Sequence, residues 1–246
     1  MKEAVISLFL KEPLPNPECF ESLKPILNFD QIEYLNFVSF PFKFEKGTLS
    51  AKPPLTNDKL GFKLIAFKNG LIDHVLQGLN NPDHTILSFH TLMYKSWTDF
   101  LAAYKNKVSK AFDIINGNPI YAVSLHYIDE FMWKSKGAIP QQAIFKKSNK
   151  VLPDDFYNSI NSEFLRTTET DQGKYDRLHV KVNSKELQPM LIISHNLTQI
   201  LPEAEPIRGP LDKDVLESLE LAHTSNKETL RQILKLNVQN KIGLND

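Results

Sequence analysis

Cysteine is almost absent from this sequence of 246 residues, because Cys19 is the only one. A single thiol excludes an internal disulfide and every zinc or iron–sulfur site that needs several cysteine ligands. Proteins that depend on no disulfide are typical of reducing compartments. The sequence therefore predicts a cytoplasmic protein in which cysteine provides no metal site.

Long apolar runs and glycine-rich loops are also lacking. The apolar run at residues 4–10 is much shorter than the roughly 20 residues that a membrane helix requires, and it is followed by charge, not by a cleavage site. Only 9 glycines are present, and none forms a phosphate-binding loop or a nucleophile elbow. We therefore expect no membrane association and no cofactor, and no motif identifies an enzyme.

Charge of one sign is not in excess, since 29 basic and 29 acidic side chains give a formal net charge of zero. This balance argues against a strongly cationic nucleic-acid binder, although it leaves a local basic patch open. The chain is long enough for one large core, and neither a repeat nor a linker is evident. We predict one domain over residues 1–246.

Alternating apolar residues predict most of the strands. Residues 120–131 alternate so that Tyr121, Val123, Leu125 and Tyr127 share one face of a central strand. Three further extended segments, separated by turn sequences, predict an antiparallel meander over residues 61–93. A later pair of segments, residues 175–183 and 190–200, predicts a hairpin.

Two segments have the apolar spacing of helices. Residues 97–115 follow Ser96, which is a suitable N-cap. Residues 211–236 carry an apolar stripe that Asn226 interrupts, so one long helix and two shorter ones are both open. We expect an α+β fold in which a mainly antiparallel, curved sheet packs against a central helix and a long C-terminal helix.

Histidine offers the best constellation for catalysis. Seven histidines are spread singly, without the helical spacing of zinc hydrolases. His179 and His195 lie on strands predicted to pair, and a favourable register would bring both to one face, beside Asp176 or Arg177. A slip of one residue would place them on opposite faces. These residues define a hypothetical acid–base or phosphate-handling site.

A basic surface is the second candidate. The lysine segment, as we call it, has positive charges beside an aromatic residue and is followed by an acidic block at residues 154–171. Such a segment could hold a nucleic-acid backbone or a protein partner. Its residues are Trp133, Lys134, Lys136, Lys146, Lys147 and Lys150. A solvated loop that the acidic block neutralises is the alternative.

Several short stretches resemble a large, sporadically distributed family of uncharacterised bacterial proteins of about this length. They are the opening Glu3-Ala-Val-Ile6, the hairpin that leads into Trp97-Thr-Asp-Phe100, the strand Leu125-His-Tyr-Ile-Asp129 and the helix Leu219-Glu-Leu-Ala-His223. The family usually has asparagine at the position of Asp129. The resemblance implies a prokaryotic or mobile-element setting with a link to phage defence, and it transfers no functional residue.

Three functions are compatible with these observations. We expect a cytoplasmic recognition protein with a protein partner or self-association, because the sequence offers surfaces but no assembled chemistry. The first alternative is a nucleic-acid-processing or phosphate-ester hydrolase that uses His179 and His195. The second is a small-ligand sensor with an aromatic pocket of Phe37, Phe40 and Tyr127.

Overall fold

Strands and helices of this chain are defined by a computed structural model, which describes residues 2–39, 42–45, 48–51, 55–81, 84–134, 137–147, 149–170, 173–184, 189–202 and 206–244. The strands are β1 (Glu3–Leu10), β2 (Gln31–Ser39), β3 (Phe42–Glu45), β4 (Thr48–Ala51), β5 (Leu55–Lys68), β6 (Leu71–Asn80), β7 (Thr85–Thr91), β8 (Ile120–Met132), β9 (Ser162–Thr170), β10 (Lys174–Asn183) and β11 (Met190–Ile200). The helices are α1 (Leu23–Ile26), α2 (Trp97–Ile115), α3 (Gln141–Ile144), α4 (Lys213–Ile233) and α5 (Leu236–Lys241), with 3-10 helices at Pro17–Phe20 and Asp154–Asn158.

Nine strands form one antiparallel sheet in the order β2-β5-β6-β7-β1-β8-β11-β10-β9. β3 and β4 pair with each other as a separate hairpin. The predicted α+β fold class is confirmed, with an antiparallel sheet, a helix at Trp97–Ile115 and a long helix near the C-terminus.

The predicted meander is present as β5, β6 and β7, which are neighbours in the sheet. Its first turn is formed by Asn69 and Gly70, whose φ angles are +53° and +77°. Two successive positive φ angles suit a tight hairpin turn, and asparagine followed by glycine is the pair that adopts them most readily. The local sequence therefore sets this turn.

β8 is an interior strand, as predicted, and it pairs with β1 on one edge and β11 on the other. One residue leaves the predicted face. Phe9 pairs with Ala122 and Leu10 with Ile120, so that Tyr121 is the extra residue of a bulge. The Tyr121 ring lies 6.1 Å from the ring of Phe9, on the side opposite to the buried face. The alternation of the sequence does not reveal this bulge.

The helices pack on one face of the sheet. α2 contributes Phe100, Tyr104 and Val108 to a core shared with the buried face of β8. The hydroxyl of Ser96 accepts a hydrogen bond from the backbone N–H of Asp99 at 3.1 Å, which confirms the predicted cap. Asn116 ends the helix in the left-handed region with a φ of +55°.

α4 runs without a break from Lys213 to Ile233, so the open choice between one helix and two is settled in favour of one. α5 follows after a short turn. Asn226 lies inside α4 and is only 5% exposed. It does not cap a second helix but turns its side chain towards the sheet, where it bonds to His195.

When β2 and the β3–β4 hairpin, which lie between α1 and β5, are left aside, a similar order of elements occurs twice along the chain. A strand, a short helix, three strands and a long helix form one series in β1, α1, β5–β7 and α2, and a second in β8, α3, β9–β11 and α4. The first strands of the two series, β1 and β8, are neighbours within the sheet. No repeat in the sequence indicates this recurrence.

Candidate ligand-binding pocket

A polar pocket of about 680 Å³ lies between the start of α2, the second half of β8, α4 and the turn after α5. Its volume is within the range of pockets that bind small ligands. Both aromatic and ionisable side chains line it. The lining residues are Tyr94, Lys95, Ser96, Trp97, Thr98, Tyr127, Asp129, His223, Asn226, Lys227, Leu230, Ile242, Gly243 and Leu244.

His223 joins the two aromatic walls of this polar pocket. Its Nδ1 atom lies 2.9 Å from the hydroxyl of Tyr127, and its ring stacks on Trp97 with centroids 4.6 Å apart and planes 8° apart. The indole N–H of Trp97 donates to Glu220 at 2.8 Å. Because Glu220 and His223 are three residues apart on α4, they lie on the same side of that helix. Both contacts therefore fix Trp97 against α4.

Tyr94 and Tyr127 form the next part of the wall, with rings 5.7 Å apart and nearly perpendicular. Burial raises the pKa of both phenols, and most strongly that of Tyr127. A phenol with a raised pKa keeps its proton at neutral pH. Each of these hydroxyls is thus an uncharged hydrogen-bonding group.

Burial also acts on Asp129 and His223, two further ionisable groups of the lining. It raises the pKa of the Asp129 carboxyl, which is 6% exposed, and lowers the pKa of the His223 imidazole. Both shifts favour the neutral forms. The interior of the pocket is therefore suited to neutral hydrogen bonding, while the exposed Lys95 supplies positive charge at its edge.

A buried hydrogen-bond chain supports the wall at Asn226. His195, only 2% exposed, has its Nδ1 atom 2.9 Å from Asn226 Oδ1 and its Nε2 atom 3.1 Å from Asp176 Oδ1. Burial alone would raise the pKa of Asp176, but the hydrogen bond and charge of His195 hold it below its ordinary value. Oxygen atoms therefore face both ring nitrogens of His195. His195 thus positions Asn226.

The structure does not bring His179 and His195 together. In the β10–β11 register, Leu178 pairs with His195 and His179 pairs with Ser194. Adjacent residues of a strand point to opposite faces, so His179 lies on the face away from α4. There its Nε2 atom lies 2.8 Å from Glu163 Oε1. The less favourable of the two registers considered from the sequence is the one observed, although the predicted neighbour Asp176 does contact His195.

The residues of the lysine segment differ in their exposure and contacts, so they do not form one uniform surface. Lys134, Lys147 and Lys150 are exposed, whereas the ammonium group of Lys146 donates to the carbonyl of Arg231 at 2.6 Å. Trp133 is half-buried and lines an apolar cavity, and Lys136 lies outside the described residues. The prediction of a nucleic-acid or partner surface stays a prediction.

The predicted aromatic pocket is not assembled as proposed. Tyr127 lines the polar pocket, but Phe37 belongs to β2, which is separated from β8 by β5, β6, β7 and β1. Five strand spacings correspond to about 24 Å between these two strands. Phe40 lies outside the described residues. The pocket was predicted from the aromatic residues alone, because the order of the strands in the sheet cannot be read from the sequence.

Sequence reasoning missed Tyr94, Trp97 and Asp129 as members of one site. Two signals were available: Asp129 is polar among the apolar inward positions of β8, and Asn226 interrupts the stripe of α4. Polar residues at core positions need partners, and such positions frequently belong to functional sites. Their meeting in space depends on the packing of α4 on β8.

Across the described ranges, no cluster of three or more histidine, cysteine, aspartate or glutamate side chains is placed to hold a metal ion. Within the same ranges, no helix is both long and apolar enough to cross a membrane. Comparisons with protein-family models, curated proteins and solved structures found no match to this chain. The resemblance to a bacterial family therefore stays a prediction, and the function must be argued from geometry.

Proposed function

We propose that this protein is a cytoplasmic recognition protein that binds a small polar ligand in the pocket between α2, β8 and α4. The observation that carries the proposal is the convergence of Trp97, Tyr127, Asp129, His223 and Asn226 on one cavity of about 680 Å³. A concave site with aromatic walls and a few fixed polar groups is typical of ligand binding.

The chemistry of the lining indicates what kind of ligand fits. The carboxyl of Asp129, the imidazole of His223 and the amide of Asn226 offer hydrogen bonds inside the cavity, where burial strengthens them. Lys95 and Lys227 add positive charge to the lining. A ligand that has several hydrogen-bonding groups and one anionic group, such as a nucleoside monophosphate or a sugar phosphate, matches this set.

Tryptophan fluorescence gives a direct test, because the sequence has only two tryptophans and only Trp97 lines this pocket. The variant Trp133→Phe leaves Trp97 as the sole reporter. We expect at least one nucleoside monophosphate, sugar phosphate or amino acid in a defined panel to change its emission saturably and to raise the unfolding temperature.

The variant Tyr127→Phe removes one hydroxyl from the wall and keeps the ring. We expect it to weaken binding roughly 5- to 140-fold, because a group of the ligand that loses its hydrogen bond inside the buried cavity costs about 1–3 kcal/mol. Tyr175→Phe, on β10 and outside the lining, is the matched control. A panel without any saturable ligand at millimolar concentration would contradict the proposal, as would equal losses in the two tyrosine variants.

The macromolecular partner expected from the sequence is a separate prediction. The partner would engage the surface of the protein, including the exposed Lys134, Lys147 and Lys150. Binding of nucleic acid through these lysines would weaken steeply as salt concentration rises. Salt titration of any complex recovered with this protein distinguishes that contact from ligand binding in the pocket.

A further inference from the structure

A second cavity of about 280 Å³ lies beyond the turn that follows α5 and is separate from the polar pocket. Its walls come from the ends of β8 and β11, from α3 and from α5. Apolar residues form nearly all of its surface: Phe131, Trp133, Ile144, Leu191 and Val238 are among them. Ile242 lines this apolar cavity and the polar pocket alike, so one side chain stands between the two sites.

One lysine lines this apolar cavity, and three others are close in sequence to lining residues. Lys241 belongs to the lining, and Asn237 is the other polar residue there. Three more lysines are at most three positions away in the sequence from a residue of the lining: Lys134, Lys147 and Lys235. Among the described residues, no ion pair is formed by the side chains of these four lysines. An apolar cavity beside uncompensated cations favours a ligand with an apolar body and an anionic end.

The size of the cavity limits the apolar body. A methylene group takes up roughly the volume that a water molecule has in the liquid, about 30 Å³, so the cavity has room for roughly nine. A single aliphatic chain of medium length meets this limit. A bilayer-forming lipid with two long chains is too large for the cavity.

We propose that the apolar cavity binds a medium-chain carboxylate, with its chain between Trp133 and Val238 and its carboxylate at the ammonium group of Lys241. The site is distinct from the one assigned to the polar ligand, and it does not depend on it. Trp133 has a role here as part of an apolar wall, which differs from the stacking on nucleic-acid bases considered from the sequence.

The variant Trp97→Phe tests this site, because it leaves Trp133 as the only tryptophan. Titration with hexanoate, octanoate and decanoate is expected to change Trp133 emission saturably, below the concentrations at which these acids form micelles. Each added methylene should tighten binding about fourfold, since burial of one contributes about 0.8 kcal/mol. This gain should be absent for dodecanoate, whose chain exceeds the roughly nine methylenes for which the cavity has room.

Charge is tested with octylamine and with the variant Lys241→Glu. We expect octanoate to bind the protein more tightly than octylamine, and Lys241→Glu to reverse this preference. Lys213→Glu is the matched control, because Lys213 is strongly exposed and lies at the start of α4, whereas α5 follows the end of that helix. This variant should leave both affinities unchanged. Equal affinities for the acid and the amine would overturn the proposed role of Lys241.

Occupation of the cavity itself is tested with Ala143→Phe in the Trp97→Phe background, which adds a large side chain to the lining and keeps Trp133 as the only tryptophan. Circular dichroism checks that the variant is folded. We expect the folded variant to lose octanoate binding by tenfold or more. Unchanged binding in the folded variant, or no saturable response of Trp133 to any of the three acids, would refute the site. A variant that does not fold is replaced by Val238→Phe, for which the same outcomes apply.

Discussion

Replacing Asn226 with leucine should destabilise the fold, because it removes the amide oxygen that accepts a hydrogen bond from His195. The two atoms are 2.9 Å apart, and His195 is only 2% exposed, so water cannot readily take the place of the amide. The ring nitrogen would then be a buried donor without an acceptor. Helix propensity acts weakly in the other direction, since leucine favours a helix more than asparagine does.

The expected size of this effect follows from the burial. A buried polar group that loses its partner costs about 1–3 kcal/mol in the free energy of unfolding. For a chain of 150–250 residues, each kcal/mol lowers the unfolding temperature by about 2–4 °C. We therefore expect Asn226→Leu to unfold roughly 2–12 °C below the parent protein.

Equilibrium unfolding in urea at pH 7, followed by far-ultraviolet circular dichroism, measures the change. Thr224→Leu is the matched control, because Thr224 is exposed on the same helix. Its replacement changes the helix propensity without removing a buried contact. A difference below about 0.5 kcal/mol between the two variants, the usual range of surface substitutions, would refute the reasoning.

A double-mutant cycle isolates the contact between Asn226 and His195. In the variant that combines Asn226→Leu with His195→Phe, both partners are apolar and no donor is left unsatisfied at this contact. The loss in the double variant should therefore be smaller than the sum of the single losses by about 0.5–3 kcal/mol. Additive losses would mean that the two side chains do not interact in solution.

Three further predictions follow from buried or crowded groups. Tyr104→Phe should cost about 1–3 kcal/mol in urea unfolding, because the fully buried Tyr104 hydroxyl donates to the Pro210 carbonyl at 2.9 Å. The hydrogen bond from His90 lowers the pKa of Glu3, so the Glu3 carboxylate stabilises the fold above its ordinary pKa of 4.5, and this stability is lost as the pH falls below that value. Glu3→Gln should therefore make the decline of the urea midpoint with falling pH shallower. Gly61→Ala should cost about 1–3 kcal/mol in thermal unfolding, since a Cβ would lie 2.1 Å from a backbone oxygen of β6.

Matched controls sharpen these three measurements. Tyr175→Phe alters a tyrosine on β10 that is far less buried than Tyr104, and should change stability by less than about 0.5 kcal/mol. Gly209→Ala adds a Cβ with no atom within 4 Å and should be tolerated. Parallel pH profiles for the parent protein and Glu3→Gln would contradict the linkage to Glu3.

Local signals allowed much of the fold to be predicted. The turn at Asn69-Gly70 and the N-cap at Ser96 act within a few residues, and both are found where the sequence indicated. Strand β9 was missed, because its alternation is weak and its residues are mostly exposed, as befits an edge of the sheet. Whether residues 1–246 form one domain stays a prediction.

The candidate site depended on information that no local pattern contains. The positions of His179 and His195 were identified, but their faces are set by the register of β10 with β11. A shift of one residue in that register would have reversed the result. In the same way, Asp129 and Asn226 are both polar residues at inward positions, yet only the packing of α4 against β8 places them on one cavity. The pairing of strands and the packing of helices that are distant in sequence therefore determine which side chains meet in the candidate site.

The position of β1 has a consequence for the synthesis of this protein. β1 leaves the ribosome before the other strands of this sheet, yet its two neighbours are β7 and β8, whose residues are made much later. At 5–20 residues per second, translation from Leu10 to Met132 takes roughly 6–24 s. During this interval at least one edge of an apolar strand remains open to other nascent chains. Chaperones that bind emerging apolar segments should therefore act on β1 before any other strand of the sheet.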